Sequence, residues 1–353
     1  MSNTLLDVDV LKKENKITKY SQLIAESAEK IEKTEKTNDN IFLIRTANEC
    51  IESAKKKPIP NCLFSEFWYE GELAVLFAGT GIGKTILAMQ IANSISKGEN
   101  IKGFKNESEK QKVLYFDFEL SEKQFEKRYS NHYSNHYIFD NNFLKIEIGP
   151  DAEDFNEEIF YESIEKTILT TQAKILIIDN ITYLKGNLET SKEAIPLMKK
   201  FKQFKKKYNL SILTIAHTPK RDLSRQININ DLAGSMQLAN FVDSIFTINL
   251  SAKDKSLRYI KQIKARVTEK IYDAENIIIC ELKNDSNFTF LDFIGFGCEN
   301  EHIKQVSEDN KTEIENAIIE LKKANPNYSL REIANELNTN QMKVKRILKK
   351  HEM

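Results

Sequence analysis

Residues 78–85 read AGTGIGKT. The apolar run LAVLFA at 73–78 precedes them, and the helix-favouring run ILAMQIANSI follows at 86–95. Strand, glycine-rich loop, helix is the context that a phosphate-binding loop requires. Glycines 79, 81 and 83 let the backbone curl until its N–H groups converge on phosphate oxygens, and the positive end of the helix dipole adds to the attraction. This reading makes Ala78, Gly79, Thr80, Gly81, Ile82, Gly83, Lys84, Thr85 and Ile86 the nucleotide cradle. Lys84 would reach the β- and γ-phosphates, and the Thr85 hydroxyl would bind Mg²⁺. ATP and Mg²⁺ are therefore the expected ligands. The usual first glycine of such loops is Ala78 here. A chance glycine turn ending in Lys-Thr is the competing reading, and both flanks argue against it.

Outward from the loop, strand-length apolar runs alternate with amphipathic stretches. Strands are expected at 73–78, 113–119, 143–148, 174–179, 211–216 and 244–248, with helices at 84–97, 121–131, 155–171, 190–207 and 234–241. Several strands are apolar on both faces, as in a sheet covered by helices on each side. The alternation predicts an α/β fold around a mostly parallel sheet. The runs 257–264, 276–282 and 287–294 have few helix signals between them and predict an antiparallel extension. Residues 1–40 are polar and read as a loose helical leader. A second helix at 41–57 is stopped by Lys-Pro-Ile-Pro at 57–60. The expected division is a leader at 1–40, a nucleotide domain at 41–297, a charged linker at 298–310 and three short helices at 311–353.

The 353 residues carry 52 Lys+Arg against 52 Asp+Glu, so neither a globally basic coat nor an acidic tail is present. An apolar fraction of 41% is enough for a sizeable core. Cys50, Cys62, Cys280 and Cys298 form no CxxC pair and have no clustered histidines, which argues against a zinc site or a disulfide framework. The charged N-terminus lacks the apolar segment of a signal peptide, and no run approaches a membrane span. The expected setting is a soluble cytoplasmic protein with no membrane partner.

KILIID at 174–179 ends in Asp179, which would hold the metal's water shell beside Thr85. Hydrolysis also needs a group that takes a proton from water. The residue after Asp179 is Asn180, which cannot, so the base is sought elsewhere. Glu119 ends VLYFDFE, and the carboxyl ends of parallel strands share one crevice. It is the first choice as base, with Asp117 in reserve as a deeper carboxylate of the same face. A helix-start carboxylate is the plain alternative for Glu119, since Ser121 could cap the next helix. His217 closes the run SILTIA, where it could sense the γ-phosphate, and a hydrogen-bonded surface histidine is the plain alternative.

Together AGTGIGKT, VLYFDFELS at 113–121, KILIIDN at 174–180, TIAHT at 214–218 and LAGSMQLANFVDSIFTI at 232–248 resemble the RecA-like P-loop ATPases, and most of all their RepA/DnaB-type hexameric helicase branch, over roughly residues 41–295. The resemblance implies a RecA-like fold and an ATPase, with helicase activity of the plasmid, phage or mobile-element type as its further expectation, that assembles into a homo-oligomer, a hexameric ring, with ATP between subunits. It also implies a basic finger reaching the neighbour's site, for which YIKQIKARVTEK offers Lys264 and Arg266. An edge strand carrying lysines against aggregation is the bland reading of that segment.

Two places would touch DNA. The loop after His217 carries Lys220, Arg221 and Arg225, which in RecA-like motors would face single-stranded DNA in the channel. The C-terminal helices resemble a helix-turn-helix with Asn338-Thr339-Asn340 at the turn and a capping box from Ser329 and Glu332. Its last helix carries Lys343, Lys345 and Arg346, suited to the major groove of a duplex. Protein docking is the alternative for this module.

Overall fold

The computed structural model describes residues 42–149, 152, 157–180, 191–219, 221–232, 235–304 and 308–351. The expected leader, residues 181–190 and Lys220 lie outside them. Two compact units divide at Ile59 and Pro60, later than the expected 40/41 boundary. The Pro58-Ile59-Pro60 segment is the physical break, since proline removes donors and ends helices. In the first unit, α1 (Ala47–Lys55) starts at a capping box of Thr46 and Glu49, which trims the expected 41–57 helix.

The second unit is built on a nine-stranded sheet. Its strands are β3 (Leu73–Ala78), β4 (Val113–Asp117), β7 (Phe143–Ile146), β8 (Ile175–Asp179), β9 (Ser211–His217), β10 (Ser244–Leu250), β11 (Leu257–Lys264), β12 (Ile277–Asp285) and β13 (Phe288–Gly297), in the order β13-β12-β11-β10-β3-β9-β8-β4-β7. The six strands from β10 to β7 run parallel. β11, β12 and β13 continue the sheet antiparallel. This is the expected α/β architecture, a mostly parallel sheet with helices on both faces and an antiparallel extension. Two short hairpins, β1 (Cys62–Phe64) with β2 (Trp68–Tyr69) and β5 (Ser130–Asn131) with β6 (Asn135–His136), carry no periodicity long enough to announce them.

Alternation along β3 builds two cores. Leu73, Val75 and Phe77 face one side with α4 (Glu157–Thr171) and α5 (Ser191–Tyr208), whose Ile164, Ile168, Leu197, Phe201 and Phe204 cover them. Ala74, Leu76 and Ala78 face the other with α2 (Lys84–Lys97), whose Leu87, Ile91 and Ile95 are fully buried. Period-two strands that are apolar on both faces need this double cover. The short helices α3 (Glu122–Arg128) and α6 (Ser235–Phe241) complete the nucleotide domain.

At the C-terminus, α7 (Glu308–Ala324), α8 (Leu330–Glu336) and α9 (Gln341–Lys350) close on Ile318, Ile333, Val344, Ile347 and Leu348. Ser329 and Glu332 form the expected capping box. Asn338 has φ +47°, the left-handed conformation where glycine is usual and which asparagine tolerates. Lys345 and Arg346 are exposed and Lys343 is half-buried. Among the described residues no helix is long and apolar enough to cross a membrane.

Candidate active site

Strand order and register bring the expected residues to one edge. Ala78 is level with His217 across β3 and β9, and Asp117 is level with Asp179 across β4 and β8. The phosphate loop leaves β3 there and enters α2 through Gly83. Gly81 has φ +73° and Gly83 φ +119°, both in the region that strongly favours glycine. Thr80 lies at the open tip of the loop.

Lys84 is 6% exposed. Its ammonium donates to the carbonyls of Ala78 at 3.1 Å and Gly79 at 3.0 Å and lies 3.2 Å from His217 Nδ1. Burial pushes its pKa down, against the pull of Asp179 and Glu119. An ammonium only donates, so Nδ1 accepts and the ring proton sits on Nε2, facing Glu119 Oε1 at 3.4 Å. The Asn180 side-chain nitrogen donates to the same Glu119 Oε1; it also lies 2.9 Å from Nε2, a contact between two donors that converge on one carboxylate oxygen and not a hydrogen bond. The hydrogen bond from His217 is the largest influence holding Glu119 below the usual glutamate range. Lys84, His217, Asn180 and Glu119 thus form one contact chain from phosphate cradle to proposed base.

Asp179 is fully buried. Its Oδ2 accepts the Tyr115 hydroxyl at 2.8 Å, the Thr85 hydroxyl is near enough to pull its pKa down, and Oδ1 has no hydrogen-bond partner among the described residues. A buried carboxylate oxygen without a donor is the kind of group a cation satisfies, so Thr85 and Asp179 fit a Mg²⁺ site. Desolvation raises the Asp179 carboxyl from 3.8 to about 6. Between those values the folded chain holds a proton that the unfolded chain has released, so the nucleotide-free protein loses stability as pH rises from about 4 to 6. Asp179→Asn keeps an acceptor for Tyr115 and should flatten that slope in thermal melts. A slope unchanged by the substitution would contradict this account.

Three expectations change. β4 ends at Asp117, not 119, because Asp117 Oδ1 accepts the backbone N–H groups of Glu119 and Leu120 at 3.1 and 3.0 Å and turns the chain. Asp117 also pairs with Lys145 at 3.2 Å, so its carboxylate is engaged within the chain, whereas Glu119 meets His217. β11 ends at Lys264, so Lys264 and Arg266 do not share a strand face. The Lys264 ammonium donates to the Ala239 and Val242 carbonyls at 2.6 and 2.8 Å, closing the C-terminal end of α6, and Arg266 pairs with Asp243 at 3.3 Å while 49% of its side chain stays exposed. Arg225 pairs with Asp231 through its two terminal guanidinium nitrogens while staying part-exposed, and Arg221 donates to the Asp222 and Arg225 carbonyls alongside.

Two site residues escaped the sequence reading. Tyr115 shows only as one apolar position in a strand, although alternation from Asp117 was a hint of its direction. Asn180 was noted only as a residue unable to take a proton.

No curated protein matches the chain. Among solved structures it is similar to a KaiC-like protein from the hyperthermophilic archaeon Pyrococcus horikoshii OT3, with a TM-score of 0.46 and 16% identity over 64% of this chain and 90% of that one. Residues 45–222 match the sequence model of a family described as AAA domain, a span that holds the phosphate loop, Glu119, Asp179 and His217. With that match reaching just over half of the sequence, the chain belongs to the AAA domain family.

Proposed function

We propose that the protein is an ATP-hydrolysing RecA-like motor that acts on DNA, of the RepA/DnaB-like kind, with ATP sites shared between subunits of a homo-oligomer. The observation that carries the reading is the unbroken contact chain from Lys84 through His217 and Asn180 to Glu119. It links the cation that would meet the β- and γ-phosphates to the carboxylate that would take a proton from water. ATP and water become ADP and phosphate. Lys84 leaves the Ala78 and Gly79 carbonyls for the phosphates, and Glu119 accepts the water proton. Thr85 and Asp179 would hold Mg²⁺, which when bound neutralises developing phosphate charge. His217 touches both ends of the chain, so loss of the γ-phosphate would reach the loop after β9.

Glu119→Gln keeps an oxygen for the His217 and Asn180 donors and loses the base. Turnover should fall by about 10²–10⁴-fold with nucleotide binding retained. Normal turnover in this variant, with loss in Asp117→Asn, would move the base to Asp117.

Single-stranded DNA would follow Lys220 and Arg221, and duplex DNA the exposed Lys345 and Arg346 of α9 with Lys343 beside them. ATPase rates with and without single-stranded DNA test the motor, and duplex affinity of a chain shortened at residue 305 tests the terminal helices. Stimulation by DNA supports the motor. The second reading is an ATP-dependent switch that binds a protein partner. A DNA-independent rate that a protein partner triggers would establish that reading instead.

A further inference from the structure

We propose that Arg258 is a positioning residue of the phosphate loop, holding the Ile82 carbonyl outward so that the Gly83 N–H faces bound phosphate. This rests on the reading of residues 78–86 as the nucleotide cradle. Arg258 stands on β11 opposite Leu250, at the edge of the sheet from which the loop emerges. Its Nε donates to the Ile82 carbonyl at 2.7 Å, across 176 positions of sequence. Its Nη1 donates to the Lys255 and Leu257 carbonyls at 2.6 and 3.0 Å.

A trans peptide is planar, with its C=O and N–H pointing in opposite directions. Fixing the Ile82 oxygen toward β11 therefore fixes the Gly83 N–H toward the opposite side, into the cradle. The anchor is needed because Lys84 ties down only the start of the loop, at the Ala78 and Gly79 carbonyls. Gly81 and Gly83 leave the backbone torsions on either side of Ile82 permissive, and Gly83 caps α2 without a side chain. A charge-assisted bond from a rigid guanidinium is a strong way to hold one peptide plane.

The placement is costly unless something offsets it. Arg258 is 7% exposed, and among the described residues no carboxylate pairs with it. Burial alone pushes its pKa down. A buried cation that meets only neutral carbonyls carries a desolvation cost that no opposite charge offsets, although the three carbonyls it serves would lose a donor without it. Bound polyphosphate, beside the loop that Arg258 grips, supplies the missing negative charge.

In Arg258→Met, ATP and ADP affinity, measured by calorimetric titration at a temperature where a thermal melt shows the chain folded, should fall at least about tenfold. Arg258→Lys keeps the charge without the Nε geometry, and its affinity should stay below that of the native protein. It also serves if the Met variant fails to fold. Lys84→Ala is the control for the loop itself. Native affinity in both Arg258 variants, with loss in Lys84→Ala, overturns the positioning role and leaves the nucleotide site standing. Affinity lost only where the melt shows the variant chains partly unfolded reduces Arg258 to a packing residue and overturns it as well. Native affinity in Lys84→Ala overturns the nucleotide site and the role of Arg258 together.

Discussion

Lys84→Ala is expected to lower ATP hydrolysis roughly 10³-fold or more, at about 1.4 kcal/mol of barrier for each factor of ten. Lys84 is the single cation of the loop at residues 78–86. Without nucleotide its ammonium rests on the carbonyls of Ala78 and Gly79, neutral acceptors that release it without leaving a buried charge behind. Phosphate oxygens are stronger acceptors for an ammonium than carbonyls, and the contact strengthens as charge builds on the leaving group. The same variant also unties Nδ1 of His217, so Glu119 loses part of its orientation. Folding should be nearly untouched, because Lys84 makes no direct ion pair among the described residues and its ammonium is already penalised by burial. A steady-state assay beside a thermal melt separates the two effects. Near-native turnover would end the phosphate-loop reading.

Arg266→Ala should retain ATP binding and lose about 10³-fold in turnover, if it serves as an arginine finger in a neighbouring subunit. The register explains why it cannot serve its own loop. Lys264 pairs with Ile245, which is level with Val75 near the start of β3, whereas the phosphate loop begins after Ala78 at the other end. Three residues of strand put roughly 10 Å between those levels, and Arg266 lies further out still. Its partner Asp243 also receives Lys205 at 2.7 Å and the Leu73 N–H at 3.0 Å, so Asp243 stays satisfied when Arg266 leaves. An exposed ion pair of this kind contributes about 0–1 kcal/mol, and stability should hardly change. Head-to-tail contacts repeat one interface around a ring or along a filament. A mixture of Arg266→Ala and Glu119→Gln chains then contains interfaces with both an intact base and an intact finger, and should recover part of the activity. Co-assembly without recovery would exclude the shared site.

The sequence by itself determined the features that are local in the chain. AGTGIGKT lies on eight consecutive residues, and the apolar runs around it repeat at the strand and helix periods, so the loop, the parallel sheet and the place of Asp179 at a strand end were legible before any contact was known. Ser329 with Glu332 was legible for the same reason, because a capping box spans one helical turn. Strand ends were less so. Nothing in VLYFDFE says that Asp117 will fold its carboxylate back onto two N–H groups and end β4 early.

Only the tertiary structure decided which strands are neighbours, and the remaining chemistry depends on that. The order β11-β10-β3-β9-β8-β4 sets Tyr115 against Asp179, Asn180 between His217 and Glu119, and Arg258 against Ile82. It likewise turns Lys264 inward to close α6 and pairs Arg225 with Asp231. Periodicity reports which face of a strand is buried and is silent about the strand beside it, because pairing is fixed by the packing of all the faces at once.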